Sequence, residues 1–591
     1  MLKESRFLIT TADERTWKYD RPVIFLGEWC KRYERTHIWS GLNSIVAKPY
    51  GTSLSQKELD LFRARAMEKE IFPEVCLILN KHHNLNESER YWKIILGHWF
   101  RRHIELTINR VSTLMQCTAE YKISGTSFFS GGEYNLSTLT SAEAYTASQD
   151  DIWNNLLLKK MHIINPIEDL KVDLVDAEIG SCFTLNEEGN KHPRTKKDLQ
   201  LDFFRTIGRK FVKNSDAMIM NSYLHPKSEL MLQVAIRQFP QLNRSSPYYT
   251  LKSHDRVIRS ELSRQLESEK ADVIENMVRS LIFENMPICY LEGFRQLLEL
   301  AGAQNWPKKP KIVFTSNNFD TDEVFKTWVA DKIKSGTSYI VGQHGNGYGT
   351  HRFFDPTVEE ETADHFLTWG WGEELDKHEP AFIISQDQGN MGLPSKTGGL
   401  LLVQSQSVVR LQTWDETINF LDCLNEEQIF VANLLPMVRS EITIKPHPVS
   451  KVSKFDTALP LEARYPEIGR AEGDMSIGKL IPMSRLVVYS YDSTGMLKTL
   501  AGNIPTMAFW QNRFDHLLDS AIPYYNLLVD VGIIHLTPES AALKINEVWG
   551  DVESWWKSVE VQSARELFCS RYARTSDKPI RDLKKILLGY L

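Results

Sequence analysis

The sequence predicts an α/β protein built from two domains that face a central cleft. Short apolar runs alternate with longer amphipathic segments, which is typical of parallel sheets covered by helices. A cluster of Gly, Pro, Ser and Lys interrupts this pattern near residues 389–399. The 591 residues are 42% hydrophobic and 25% charged, the composition of an ordinary globular protein. We therefore expect two α/β units joined by a short linker.

The amino-terminal unit is expected to carry buried parallel strands, because its β-rich runs are short and almost entirely apolar. These runs lie at 7–11, 23–26, 217–220, 312–315, 338–341 and 365–368. Apolar residues at three- and four-residue spacing predict helices at 55–80, 87–114 and 260–281. Residues 180–197 are polar and turn-rich, which indicates a surface excursion.

The carboxy-terminal unit repeats the pattern more compactly. Strands are predicted at 400–403, 441–444, 486–489 and 506–509, with helices at 413–432, 493–501 and from 541 onward. We divide the chain into an amino-terminal α/β domain with helical insertions at 1–395, a second α/β domain at 396–560 and a helical tail at 561–591. Ligands of such sheets bind beyond the carboxyl ends of the strands, so the loops after strands should carry the chemistry.

Charge and cysteine content exclude several classes of protein. Seventy Lys and Arg against 76 Asp and Glu leave a net charge of −6, which disfavours a nucleic-acid surface. The run at 7–11 is too short for a signal sequence, and no apolar stretch is long enough to span a bilayer. The seven cysteines are scattered without a CxxC pair, as expected of reduced thiols. We expect a cytoplasmic protein without a bound metal, a cofactor or a nucleic-acid partner.

The first candidate loop follows the predicted strand at 338–341. It contains Gln343, His344 and Gly345, with four glycines between residues 342 and 349. Glycines free the backbone to approach a ligand, and a single imidazole among them suits acid–base work. A tight turn whose histidine binds a carbonyl is the alternative.

The second candidate loop reads Lys445-Pro446-His447-Pro448. The prolines restrict the backbone on both sides of His447, so the histidine is held rigidly at a strand end. Lys445 and His447 could together neutralise a phosphate leaving group. The alternative is a loop with a solvated lysine.

The third candidate loop runs from Ser490 through Asp492, Ser493 and Thr494 to Gly495, between a strand and a helix. Free N–H groups at a helix start attract anions. Ser493 or Thr494 could also cap the helix, and the two roles are compatible.

These loops, in this order, resemble the glycosyltransferases of the GT-B type and related polymerases of bacterial surface polysaccharides. The segments at 6–11, 25–30, 91–92, 290–294 and 368–371 are similar to sugar transferases of O-antigen and nonulosonate clusters. The resemblance implies a GT-B-like fold with two Rossmann-like domains, and transfer of a sugar from a CMP-activated nonulosonic acid to a glycan or lipid-linked glycan. It makes His344 the general base, and it places Lys445, His447 and residues 490–495 at the donor. It also implies that the domain at 1–395 is on the acceptor side and that the domain at 396–560 binds the nucleotide sugar.

Several alternatives stay open. Asp13, Glu14 and Glu28 rival His344 as the base, and Gln343 is a further candidate for acceptor contact. Asp320-Thr321-Asp322 spells a metal-binding DxD, but we expect it to cap a helix. A UDP- or GDP-sugar transferase, a polyol-phosphate transferase, a nucleotide-sugar epimerase or hydrolase, and a non-catalytic export factor are the competing functions. Peripheral association with the inner face of the cytoplasmic membrane is the alternative location.

Overall fold

A computed structural model describes most of the chain, namely residues 4–131, 136–177, 211–248, 250, 252–372, 377–384, 392–405, 410–415, 420–447, 456–471, 475–510 and 514–591. Within these residues the strands form three sheets whose ladders are all parallel. The predicted α/β class with Rossmann-like sheets is confirmed. The surface excursion predicted at 180–197 and part of the linker at 389–399 lie outside the described residues.

The predicted amino-terminal unit contains two of the sheets. The strands of the first sheet, in the order β3-β2-β1-β4-β5, are β1 Arg6–Ile9, β2 Val23–Phe25, β3 Ser44–Val46, β4 Ile123–Phe129 and β5 Val172–Val175. The strands of the second sheet, in the order β10-β9-β8-β7-β6, are β6 Met218–Ile219, β7 Ile312–Thr315, β8 Ser338–Gly342, β9 His365–Thr368 and β10 His378–Pro380.

The third sheet belongs to the carboxy-terminal unit. Its strands, in the order β13-β12-β11-β14-β15-β16, are β11 Gly399–Val403, β12 Ile442–Lys445, β13 Gly469–Arg470, β14 Ser484–Tyr489, β15 Thr506–Phe509 and β16 Ile534–His535. Strand β11 lies between β12 and β14, so Val403 is paired with Lys445 on one side and with Tyr489 on the other. This register brings two of the predicted loops to the same edge of the sheet.

Helices cover the sheets. In the amino-terminal unit they are Thr36–Trp39, Leu54–His83, Glu89–Glu120, Ser141–Ala147, Asp151–Ile164, Pro226–Ala235, Arg256–Arg264, Val273–Asn285, Phe294–Gly302, Asn318–Thr321, Glu323–Ile333 and Val358–Thr362. In the carboxy-terminal unit they are Phe420–Asn433, Pro436–Arg439, Leu459–Arg464, Ile477–Leu480, Thr494–Ala501, Ile522–Asp530, Pro538–Val548, Val552–Trp556, Val559–Tyr572 and Pro579–Leu588. None of the described helices is long and apolar enough to cross a membrane.

The Glu89–Glu120 helix links the first two sheets. Ser88 caps its first turn by accepting from the Tyr91 N–H, and most of its middle turns are buried on every side. It packs against Leu54–His83, against Val273–Asn285 and against Glu323–Ile333. A helix that is buried all round sits inside the fold, and this one connects the first sheet's helices to those of the second.

Two helix predictions were wrong in extent. The helix predicted at 260–281 is two helices, because the polar stretch between them turns and Asp272 caps the second by accepting from the Ile274 and Glu275 N–H groups. The helix predicted from 413 is not yet formed at residues 413–415 and is seen from Phe420 onward.

The last helix returns to the second sheet. Leu583 and Leu587 of the Pro579–Leu588 helix are buried in one core cluster with Ile312 and Phe314 of β7. The end of the chain therefore packs against the amino-terminal unit. The burial of these apolar side chains stabilises the association of the carboxy-terminal unit with the amino-terminal unit.

Candidate active site

Gln343 holds the loop that follows β8. Its side chain is buried, its Oε1 accepts from the Trp369 backbone N–H at 2.8 Å and from the Trp371 indole at 2.8 Å, and its Nε2 donates to the Gly345 carbonyl at 2.9 Å. All three hydrogen bonds join Gln343 to other groups of the protein. Gln343 therefore fixes the path of the loop that presents His344.

His344 lies in a chain of hydrogen bonds that ends at a buried carboxylate. Its Nδ1 is 3.0 Å from the Tyr348 hydroxyl, and that hydroxyl donates to Glu359 Oε1. A phenol has one proton, so Tyr348 can only accept from His344. The imidazole is thus protonated at Nδ1, and its Nε2 carries the lone pair. That is the tautomer required of a general base acting through Nε2.

The electrostatics of this chain favour a neutral imidazole beside a charged carboxylate. Burial lowers the pKa of His344, against the opposing charges of Glu359 and Asp320. Burial alone would raise the pKa of Glu359, but hydrogen bonds from His98 and Tyr348 hold it at about 2. His98 Nε2 lies 3.0 Å from Glu359 Oε2. These shifts favour a neutral imidazole at His344 and an ionised carboxylate at Glu359.

Aromatic rings surround the same imidazole. The Tyr223 ring is stacked on it, with centroids 6.1 Å apart and planes within 9°, and the Phe319 ring lies 5.5 Å away. These contacts restrict how far the imidazole can rotate. They also reduce its hydration, which is the physical cause of the lowered pKa.

Asp492 joins the loop after β14 to the His344 loop. Its Oδ1 accepts from Asn346 Nδ2 at 2.8 Å, and the Asn346 N–H donates to Thr494 Oγ1 at 2.9 Å. Asn346 is two residues from His344, so these bonds attach the proposed base to the third sheet. The carboxyl end of β14 and the carboxyl end of β8 consequently face one site.

The other carboxylate oxygen of Asp492 accepts hydrogen bonds from three more side chains. Oδ2 lies 3.2 Å from His351 Nε2, 3.1 Å from His516 Nε2 and 2.9 Å from the Tyr525 hydroxyl. Burial would raise the pKa of Asp492, but the hydrogen bonds and the charge of the two histidines hold it well below its usual range. A buried carboxylate with this many donors is fully satisfied.

His351, Asp492 and His516 could also hold a metal ion. Their ligand atoms lie within 4.8 Å of one another, the only such group of three in the part of the chain that the structure describes. Hydrogen bonding accounts for the same arrangement, since each imidazole can donate its Nε2–H to the carboxylate.

The two aspartates of the Asp320-Thr321-Asp322 sequence have different partners. Arg102 binds Asp320 through two nitrogens at 2.6 and 2.7 Å, while Asp322 caps the Glu323–Ile333 helix by accepting from the Phe325 N–H. The predicted capping role is confirmed for Asp322, whereas Asp320 forms an ion pair instead.

The helix start after β14 has the cap that was considered for Ser493. Ser493 Oγ accepts from the Met496 N–H at 3.1 Å, so Ser493 caps the Thr494–Ala501 helix. A Cβ on Gly495 would lie 2.7 Å from the Tyr489 ring, so only glycine fits there. Ser490 is buried beside β11, with its N–H 3.2 Å from the Val403 carbonyl.

The Lys445 loop lies at the same edge. Lys445 is the last residue of β12 and is largely buried, and His447 follows two residues later. Burial and the charge of Lys445 both lower the pKa of His447. A neutral histidine beside a lysine can donate one hydrogen bond to a phosphate without adding a second full charge.

Glu427 is a site residue that sequence reasoning missed. It lies in the Phe420–Asn433 helix, and its Oε2 accepts from Gln404 Nε2 at 2.6 Å just beyond β11. Burial raises its pKa to about 7, against hydrogen bonds from Ser490 and Gln404. Gln404 could have been noticed as the polar residue that directly follows an apolar strand, but nothing in the helix pattern distinguishes Glu427.

One family model matches residues 6–587, which is nearly the whole chain. The chain belongs to the LIC12162 family of transferases. No curated protein sequence matches it significantly. Solved structures that resemble this LIC12162-family transferase include the spinosyn rhamnosyltransferase SpnG bound to spinosyn aglycone. The two sequences are 11% identical, the match covers 50% of this chain and 77% of SpnG, and the TM-score is 0.29. The wall teichoic acid polymerase TagF is also similar: the sequences are 10% identical, the match covers 66% of this chain and 93% of TagF, and the TM-score is 0.31.

The three rival carboxylates of this LIC12162-family transferase lie in the loops of the first sheet. Each is paired with a cation: Asp13 with Arg15 at 2.6 Å, Glu14 with Arg35 at 2.7 Å and Glu28 with Lys31 at 3.3 Å. The hydrogen bond from Arg35 lowers the pKa of Glu14, which weakens this carboxylate as a base. The hydrogen-bond chain that would activate a base instead reaches His344 through Tyr348 and Glu359, neither of which the sequence pattern indicated.

Proposed function

We propose that this protein is a glycosyltransferase of bacterial surface-polysaccharide synthesis. His344 Nε2 removes the proton from an acceptor hydroxyl, and the resulting oxygen attacks the anomeric carbon of a nucleotide-activated sugar. The bond between that carbon and the donor phosphate breaks, and the nucleotide leaves. The single observation that carries this proposal is the chain from Glu359 through Tyr348 to His344, which sets the imidazole in the tautomer of a base.

The donor phosphate is assigned to the carboxyl edge of the third sheet. Lys445 and His447 supply a cation and a donor after β12, and the start of the Thr494–Ala501 helix supplies backbone N–H groups after β14. Asp492 and Thr494 act here by holding the His344 loop against the donor edge. In this proposal the base follows a strand of the second sheet, and the site for the leaving group follows strands of the third sheet.

The donor we favour is a CMP-activated nonulosonic acid, and the reaction we favour needs no metal. One lysine, one histidine and a helix start suit a single phosphate, whereas a diphosphate usually recruits more cationic contacts. The acceptor we favour is a glycan or lipid-linked glycan, met in the cytoplasm or at the inner face of the cytoplasmic membrane.

Two measurements test the proposal. His344→Ala should lower turnover about 10²–10⁴-fold while nucleotide affinity stays within a factor of two or so, because the base and the nucleotide lie on different sheets. Wild-type turnover in His344→Ala at saturating acceptor would contradict the assignment and direct attention to Asp13, Glu14 and Glu28.

Calorimetry with three nucleoside monophosphates tests the donor. Cytidine monophosphate should bind more tightly than the uridine and guanosine compounds, and Lys445→Ala should weaken it by about one to two decades. Preference for the uridine or guanosine compound would favour a UDP- or GDP-sugar enzyme. Release of free sugar without an acceptor would indicate a hydrolase, and equal weak binding of all three would indicate a non-catalytic export factor.

A further inference from the structure

The turn that follows β6 holds two non-glycine residues in the left-handed region of backbone conformation. Asn221 has a φ of 49° and Tyr223 has a φ of 64°, with Ser222 between them. Asparagine adopts this conformation readily because its side chain is short and polar, whereas a bulky tyrosine adopts it only at a cost in free energy. Such strain persists only where surrounding contacts hold it, and it is concentrated at functional sites.

Ser222 supplies those contacts, because it is bonded on both sides. It is fully buried, and its hydroxyl and its N–H both donate to Glu229 Oε2, at 2.5 and 3.3 Å. Its carbonyl accepts from the Ser316 hydroxyl at 3.2 Å, and the Asn221 carbonyl accepts from the Ser316 N–H at 3.1 Å. Ser316 directly follows β7, so the turn is attached both to the neighbouring strand and to the helix that carries Glu229. These bonds fix the backbone at Tyr223.

The fixed backbone places the Tyr223 ring against the imidazole of His344. The two rings are parallel within 9°, and their centroids are 6.1 Å apart. The Tyr223 side chain is half-buried, and its hydroxyl has no hydrogen-bond partner within the described part of the chain. The position of the ring is therefore set by the turn and not by a bond of its own hydroxyl.

No other described ring has this orientation relative to His344. The Phe319 and Tyr348 rings are inclined to the imidazole by 59° and 69°, and the Tyr348 hydroxyl meets it at its edge, at Nδ1. A parallel neighbour resists tilting of the imidazole plane. Tilting would move Nε2 away from the hydroxyl that it must deprotonate, and catalysis is sensitive to such displacements.

We propose that Tyr223 is a positioning residue for His344, and that the left-handed turn of residues 221–223 holds its ring against the imidazole. Tyr348 then selects the nitrogen that carries the proton, and Tyr223 fixes the plane in which Nε2 meets the acceptor hydroxyl. Glu229 acts one step further away, through Ser222. This inference rests on the proposed function, and it adds a residue to the machinery of the base.

The charged groups that face His344 come from three other elements. Glu359 and Asp320 raise the pKa of His344, His98 lowers it, and burial, which also lowers it, is the largest cause. The Tyr223 ring is uncharged, so its removal changes the hydration of the imidazole and leaves these charges in place. Loss of the ring should therefore move the pKa of His344 up towards its ordinary 6.5.

An NMR titration of the His344 imidazole in the full-length protein tests the inference, with the signal identified by its loss in His344→Ala. Tyr223→Asn removes the ring and keeps the turn, because asparagine tolerates the left-handed region. We expect its titration midpoint to rise towards 6.5. We also expect kcat, measured above both midpoints, to fall about 10- to 100-fold, with acceptor KM and nucleotide affinity unchanged.

Three further variants sharpen the test. Tyr223→Phe keeps the ring and loses only an unpaired hydroxyl, so its midpoint and kcat should match those of the wild type. Glu229→Leu keeps Tyr223 but removes the acceptor of Ser222, so its midpoint should move in the same direction as in Tyr223→Asn. Arg237→Asn is the matched control, because Arg237 is also left-handed, with a φ of 67°, but is exposed beyond the end of the Pro226–Ala235 helix. It should change neither quantity.

An unchanged midpoint in Tyr223→Asn and Glu229→Leu would overturn the inference. A loss of rate in Tyr223→Phe would overturn it as well, since the hydroxyl and not the ring would then act. The titration needs no substrate and no turnover. A protein whose midpoint moves as expected but which transfers no sugar would therefore contradict only the proposed function. One that transfers sugar at the wild-type rate in Tyr223→Asn would contradict only the role of Tyr223.

Discussion

The Tyr348 hydroxyl lies 3.0 Å from Nδ1 of His344 and donates its own hydrogen bond to Glu359. In many sites a carboxylate accepts a hydrogen bond directly from the imidazole, which orients the ring and selects the nitrogen that carries the proton. Here the Tyr348 hydroxyl has that role for His344, and the carboxylate of Glu359 acts through it. The rate of proton removal should therefore depend on residues that do not touch the substrate.

Tyr348→Phe should lower turnover by about 10- to 100-fold and leave nucleotide affinity unchanged. Without the hydroxyl, Nδ1 loses its acceptor and the imidazole loses its preferred tautomer. Steady-state kinetics with saturating donor and acceptor measures the effect. Tyr339→Phe is the matched control: Tyr339 lies on β8, and its buried hydroxyl has no partner within the described residues, so its removal should leave the rate unchanged. Equal losses in both variants would point to packing instead of tautomer control.

The pH dependence of kcat/KM should show an acidic limb below 6.5, the ordinary pKa of histidine, because burial lowers the pKa of His344. The base is active above its pKa, so the rate falls as the pH drops through that value. Glu359 raises the pKa of His344, so Glu359→Gln should move the limb to still lower pH while reducing the plateau. A limb that moves to higher pH in Glu359→Gln would contradict the assignment.

Asp492→Asn should destabilise the protein by about 2–3 kcal/mol, because a carboxylate with charged or polar donors from Asn346, His351, His516 and Tyr525 loses its charge. The folded pKa of Asp492 is depressed below the ordinary 3.8. Its contribution is therefore present above pH 3.8 and is lost as the pH falls below that value. Urea unfolding at pH 7 and at pH 3 should show the difference between wild type and variant shrinking with acid. Asp519→Asn, at an exposed ion pair with Arg352, should change stability little at either pH.

Activity should survive exhaustive chelation, since we assign charge neutralisation to Lys445, His447 and a helix start. The measurement is the transfer rate after dialysis against EDTA, with total metal determined in the same sample. Loss of activity that added zinc or manganese restores would instead assign a metal to His351, Asp492 and His516. His516→Ala would then have to abolish the restoration.

Local patterns were sufficient for much of the fold and for three loops of the site. Strands β7, β9 and β15 begin and end where their apolar runs do, and the Ser493 cap was readable as a small hydroxyl residue before a helix. Strand β4 escaped prediction because its residues Gly125, Thr126 and Ser127 are polar or small, although Thr126 and Ser127 are buried between neighbours. Its strand character comes from pairing with β1 and β5.

The sequence by itself determined the α/β class and the identity of the loops that follow β8, β12 and β14, because apolar periodicity, glycines, prolines and capping residues act on their immediate neighbours. Only the tertiary structure decided which groups meet. Asp492 collects donors from Asn346, His351, His516 and Tyr525, and Glu359 reaches His344 through Tyr348, over separations along the chain that carry no periodic signal. The partners of a buried charge are selected by the packing of whole elements, so they become visible only when those elements are in place.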